Sequence, residues 1–254
     1  METEKIVIKN LEKEPHDYIS QNELLSGEVE GVKIEFIAIR GAAQIKEEAL
    51  KNKYDVVLLL EGEAIIETLD KKYNIRANST ARLPYDKKYV IRSDNGAHFL
   101  RFRKDIDKQD IRIISKNLNE HSEMFIRTLD DCPVYTEDIK SSKSLNRMIL
   151  PEGKVPRFCM GSVETEGPDQ VAEHEHPMLD QVFLGLNGCK CTCIANGKRK
   201  LLTENMILHI PLGSKHSVYV ADGDKLAYIW FDFFLSLEGQ KYMNEQHHID
   251  TFPR

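Results

Sequence analysis

Two imidazoles stand two residues apart in His174-Glu175-His176, and an ordered set of landmarks follows: Gln181, Gly188, then Pro211-x-Gly213-x-x-His216. Residues i and i+2 of a strand point to the same face, so both imidazoles can reach one ion while Gln181 and His216 arrive from neighbouring strands. Three imidazoles and one amide oxygen suit one divalent first-row ion, with Mn, Fe, Zn and Ni all compatible. A lone His-x-His pair also occurs on polar strand faces, and the downstream Gly, Pro-x-Gly and His are what favour a metal site over chance placement. The cysteines offer less. Cys189, Cys191 and Cys193 alternate along one strand face over roughly 13 Å, too long a row to converge on one zinc, and read as small apolar fillers. With Cys132 and Cys159 they make five, an odd number without framework spacing, as expected of reduced thiols.

Short apolar runs punctuated by Gly, Asn, Asp and Pro must position these side chains. Segments 32–39, 54–60, 63–68, 206–210 and 226–234 are rich in Val, Ile, Leu and aromatic residues, which predicts an all-β sandwich or barrel. Helices are expected only at 43–51 and in the tail at 237–246. The segment ending in Gly62 has the same layout as the segment ending in Gly188, 126 residues later, and Pro84 answers Pro211 at 127. Two landmarks at nearly one offset predict two similar β-domains in tandem. The boundary is expected in the charged stretch 105–119, giving domains 1–112 and 113–254. In the first copy Glu48, Leu50, Asp55 and Tyr89 stand where His174, His176, Gln181 and His216 stand in the second, so the first is expected to bind no catalytic metal.

These residues resemble the motifs of the cupin superfamily. Its first motif runs Gly, about five residues, His-x-His, three or four residues, Glu, six residues, Gly. Here Gly167, His174, His176, Gln181 and Gly188 fill those places, with six residues after Gly167. The second motif matches at Pro211, Gly213 and His216, with Asn205 at its leading glycine and Val220 at its final asparagine. The resemblance covers both halves and implies a bicupin, two tandem double-stranded β-helix (jelly-roll) barrels with the metal inside the second. Gln181 replaces the family's usual glutamate. Asp180, three residues after His176, is the alternative fourth ligand, but only Gln181 keeps the six-residue spacing to Gly188.

A neutral amide leaves a bound ion's double charge uncompensated, which favours polarising a carbonyl or enolate over redox cycling with dioxygen. Cupins with a His, His, Gln, His set include enzymes acting on unsaturated sugar acids, so the resemblance implies an isomerase or lyase for a small polar acid such as a sugar acid or keto acid. An iron-dependent cupin dioxygenase and a non-catalytic ligand-binding cupin are the alternatives. No residue is assigned a catalytic role. Glu173 and Glu175 should face away from the histidines. Arg157 is a candidate clamp for a substrate carboxylate. His209, or Tyr228, Trp230 and Asp232 on one strand face, could line a pocket, and His247-His248 reads as a solvated end.

Composition bounds the partners. The 254 residues carry 35 Lys+Arg against 41 Asp+Glu, a net charge of −6 with no clustered basic face, which argues against nucleic acid. Hydrophobic residues at 41% and charged residues at 30% describe a globular chain. No stretch approaches the roughly 18 apolar residues of a membrane span. No helix-turn-helix pattern marks a regulator, and no secretory leader is seen at the start. The expectation is a cytoplasmic protein with a small-molecule substrate, no nucleic-acid or membrane partner, and possible homodimer formation.

Overall fold

Strands form nearly everywhere, because β-branched and aromatic runs alternate with Gly and Asn turns. The structure, a computed structural model, describes residues 6–11, 18–246 and 250–252. They divide into two compact units. The first runs to Asp131 and also takes Lys154–Pro156, and the second holds Cys132–Gly153 and the chain from Arg157 onward. The strand Val7–Asn10 belongs to the second unit, where it pairs antiparallel with Met206–Ile210. The change of unit therefore falls at residue 131, later than the 112 expected. The reason is local: the helix Lys108–Lys116 buries Ile114 and Asp110, and Phe125–Thr128 extends the sheet of the first unit beside Ser79–Arg82.

In the first unit the long strand Lys53–Glu67 serves two sets of partners. Its first half pairs with Ser79–Arg82 and Ala97–Asp105, its second with Lys72–Arg76 and Tyr89–Ser93. The switch is made at Gly62, just past a register shift between Leu59 and Glu61. Its φ is +80°, and a Cβ there would lie 2.3 Å from the Gly96 carbonyl oxygen, so only glycine fits. Ile37, Val57, Leu59, Ile66, Ile91 and Phe99 fill the core.

The 43–51 segment is not the helix expected from its periodicity. Ala43–Glu47 is a strand paired with Tyr89–Ser93, and Ile45 alone is buried between exposed Gln44 and Lys46. Pairing and the burial of Ile45 override a weak local propensity. The tail helix forms at Leu237–Gln246.

In the second unit two sheets face one another. Among the described residues the larger has the order Val7–Asn10, Met206–Ile210, Leu179–Gly185, Lys225–Phe234, Phe158–Glu166, Leu145–Val155, Val134–Thr136, Asp250–Phe252. The smaller has the order Asp169–Glu175, Lys215–Val220, Lys190–Ala195, Lys198–Thr203. Phe183, Leu208 and Tyr228 from the first sheet meet Val171, Leu202 and Val218 from the second. Cys189, Cys191 and Cys193 lie in this core as free, buried thiols. The landmark positions of the two units share backbone geometry. Gly188 is left-handed like Gly62, and Asp86 and Gly213 are left-handed at corresponding turns. Asp55 pairs with Arg103 as Gln181 pairs with Asp232.

Candidate metal centre

The pairing of Asp169–Glu175 with Lys215–Val220 sets His174 directly opposite His216, after a register shift between Val171 and His174. His176 follows at the end of the first strand. The nitrogen atoms that these three imidazoles can offer to a metal all lie within 4.8 Å of one another. His176 and His216 are buried and His174 is half-buried. A carbonyl oxygen only accepts, so the contacts of His174 Nδ1 with Ala172 O (2.7 Å) and of His216 Nδ1 with Ser214 O (3.0 Å) require the proton on Nδ1. Nε2 of each ring is then left with a lone pair for an ion.

Gln181 comes from the facing sheet and lines the same cavity as the three histidines. Its Nε2 donates to Asp232 Oδ1 at 2.8 Å, while its Oε1 is buried without a hydrogen-bond partner. A carboxylate accepts and cannot donate, so Asp232 dictates which end of the amide faces it and keeps Oε1 for another group. An orphaned buried carbonyl oxygen beside three imidazoles fits a divalent cation, and these four residues could hold one.

Asp180, the alternative ligand, lies on the other face of its strand. Strand alternation turns it away from Gln181, and its Oδ1 receives His209 Nε2 at 2.9 Å. Neither residue lines the cavity, whereas Tyr228, Trp230 and Asp232 do. Glu173 and Glu175 are exposed, as their strand positions require. Arg157 sits in a turn at φ +56°, donates to Leu235 O at 2.9 Å and stays outside the lining. His247-His248 lies outside the described residues.

The cavity measures about 80 Å³, and its walls are largely apolar, with Phe183, Val218, Tyr228 and Trp230 among them. Burial pushes the Cys159 thiol far above its ordinary value, with Asp232 and Glu152 adding to the effect, so it lines the space as a neutral group. A further polar group was not foreseen. Tyr135, Glu137 and Lys140 reach the cavity from the segment that enters this unit. Lys140 is docked by a bridge to Val171, and Ile139 O accepts from Ala172 N at 2.8 Å. Burial lowers the proton affinity of the Lys140 ammonium, but Tyr135 and Glu137 outweigh it and leave that affinity above the ordinary value. No motif marks these residues in the sequence; their place follows from how the segment packs.

The corresponding locus of the first unit is built differently. Register pairs Tyr89 with Glu47 as it pairs His216 with His174, so Glu47 takes the slot assigned from sequence to Glu48. Glu48 instead points outward to Lys88. Arg103 Nε and a terminal nitrogen donate to the two Asp55 oxygens at 2.8 and 2.7 Å, and that same terminal nitrogen donates to Glu47 at 2.9 Å. The Tyr89 hydroxyl donates to Asp55 at 2.5 Å, and Arg101 joins Glu47 to Glu35. Burial, reinforced by Asp55, holds the Tyr89 phenol far above its usual value. A guanidinium here engages the carboxylates that a cation would otherwise need.

No family model matches the chain, and no curated protein sequence matches it. Solved structures do match by shape. A putative glyoxylate-induced protein from Pseudomonas aeruginosa superposes with a TM-score of 0.75 at 14% identity, over 93% of this chain and 91% of that one. A cupin 2 conserved barrel domain protein from Leptotrichia buccalis gives 0.63 at 13% identity, over 92% and 98%. Oxalate decarboxylase from Lactobacillus farciminis, in its formate complex, gives 0.67 at 11%, over 93% and 88%. At such identities the likeness is one of fold, and the fold is that of cupin-type proteins. No helix among the described residues is long and apolar enough to cross a membrane.

Two outcomes follow from this geometry. The double substitution H174A/H176A removes bound divalent metal, read by elemental analysis, and leaves the far-ultraviolet β signal in place because the core is apolar and extensive; full metal retention would contradict the assignment. Arg103→Met leaves Asp55 buried without its cation and costs about 3–5 kcal/mol in urea unfolding. Metal content is unchanged, and adding Asp55→Leu recovers part of the loss.

Proposed function

We propose that the chain is a bicupin, two tandem jelly-roll barrels with a single divalent metal site in the C-terminal one. It acts as a non-redox isomerase or lyase on a small polar organic acid such as a sugar acid or keto acid. The observation that carries this reading is the donor set: His174, His176 and His216 around one cavity, with the buried Oε1 of Gln181 on the same space. Every donor is neutral. A divalent ion bound there supplies Lewis acidity toward a carbonyl or hydroxyl oxygen beside a carboxylate, which acidifies the neighbouring proton.

The rest is done by the chain. Asp232 holds Gln181 with its oxygen turned inward. Ala172 O and Ser214 O fix the tautomers of His174 and His216. Phe183, Tyr228 and Trp230 give the cavity an apolar wall, where a low local dielectric strengthens each polar contact. Arg103, Asp55, Glu47 and Tyr89 leave the first unit a structural role.

The test is turnover without oxygen. Protein loaded with zinc, under strict anaerobiosis, converts short hydroxy or keto acids, and Gln181→Glu lowers that turnover by roughly ten- to a hundredfold, the range typical of altered metal surroundings. The same variant makes an iron-bound form easier to oxidise. A stoichiometric need for dioxygen together with inactivity of the zinc form would replace this reading by a cupin dioxygenase.

A further inference from the structure

Lys140 is the only lysine or arginine among the residues lining the cavity. Its side chain is 7% exposed, and a cation buried that far is costly unless it is paired. Glu137 lies 2.5 Å from its ammonium and the Tyr135 hydroxyl 2.7 Å, while the nitrogen sits over the rings of Tyr135 (4.8 Å) and Trp230 (5.9 Å). Methionine or leucine would pack in such a wall without any desolvation cost. The ammonium has three hydrogens for these two acceptors, and the two ring faces hold it in the wall independently of Glu137. A fixed cation of this kind is placed to meet an anion that enters the cavity.

We infer that Lys140 anchors the carboxylate of a 2-hydroxy or 2-oxo acid substrate, an assignment that rests on the metal-site reading above. Glu137 is then the internal counter-ion with which the substrate competes. This gives the two residues opposite signs: removing Lys140 weakens acid binding, and neutralising Glu137 strengthens it. A merely structural ion pair predicts loss from both.

Trp230 is the only tryptophan of the chain, so intrinsic fluorescence reports on this cavity. The full-length protein, metal-free and zinc-loaded, is titrated with lactate and with its neutral analogue lactamide. Lactate is expected to bind at least roughly tenfold more tightly than lactamide, as a charge-assisted contact requires. Lys140→Met abolishes that preference and Glu137→Gln enlarges it. Zinc content of both variants stays at the wild-type level. The anchor is overturned if Lys140→Met keeps the preference for lactate, if Glu137→Gln weakens lactate binding, or if wild type binds no acid. Zinc retained by H174A/H176A overturns the metal reading instead, and the metal-free titrations still decide the role of Lys140.

Discussion

The antiparallel register that sets His174 opposite His216 is the constraint on which the site depends. A slip of one residue in a strand turns every side chain to the other face, so neither imidazole would reach the cavity. The register shift after Val171 makes the placement possible, and the Gly213 turn delivers the strand that carries His216. On the facing sheet the same alternation separates Gln181 from Asp180: one side chain enters the cavity and its neighbour engages His209 behind the sheet. Backbone pairing selects which acid or amide can act before any property of the side chain matters.

Two loci built on corresponding strands have taken opposite electrostatic solutions. In the second unit a neutral donor set leaves room for a cation from outside. In the first, Asp55 and Glu47 are carboxylates and the cation is Arg103, tethered to the chain. The central pair has been rewritten in both members, Asp55 with Arg103 against Gln181 with Asp232. Asp55 is buried and Glu47 half-buried, and a guanidinium with its planar fork meets both carboxylates at once. The first locus thus gains a cross-link between strands where the second keeps a space.

The strand content and the imidazole constellation could be read from the sequence because each is carried by a short period or a fixed spacing. The 43–51 segment could not, since Ala, Lys and Glu favour a helix locally and only pairing with Tyr89–Ser93 reveals the role of Ile45. The slot of Glu47 was assigned to Glu48 for a related reason: an offset measured at Gly62 and Pro84 does not report an insertion upstream of both. The helix at Lys108–Lys116 has a capping box at Asp107 and Asp110, yet its charges read as a linker. Lys140 belongs to a third class. Its polar partners Tyr135 and Glu137 are near in sequence, but Val171 and Trp230, which place it on the cavity, are distant, so no window of sequence contains its whole environment.

Gln181 and Asp232 also bear on how strongly the site can act. A glutamate at 181 would put its negative charge on the ligand atom itself. Here the charge sits on Asp232, which lies one amide group further away and accepts the hydrogen bond from Gln181 Nε2. Coulomb energy falls with distance, so displacing the charge by an amide's length weakens its compensation of a bound cation without abolishing it. The same hydrogen bond polarises the amide and makes Oε1 a better donor than a free amide would offer. Affinity and Lewis acidity ordinarily trade against each other as ligand charge changes. Moving the carboxylate behind an amide gives the oxygen donor strength while leaving most of a bound ion's field for whatever lies in the cavity.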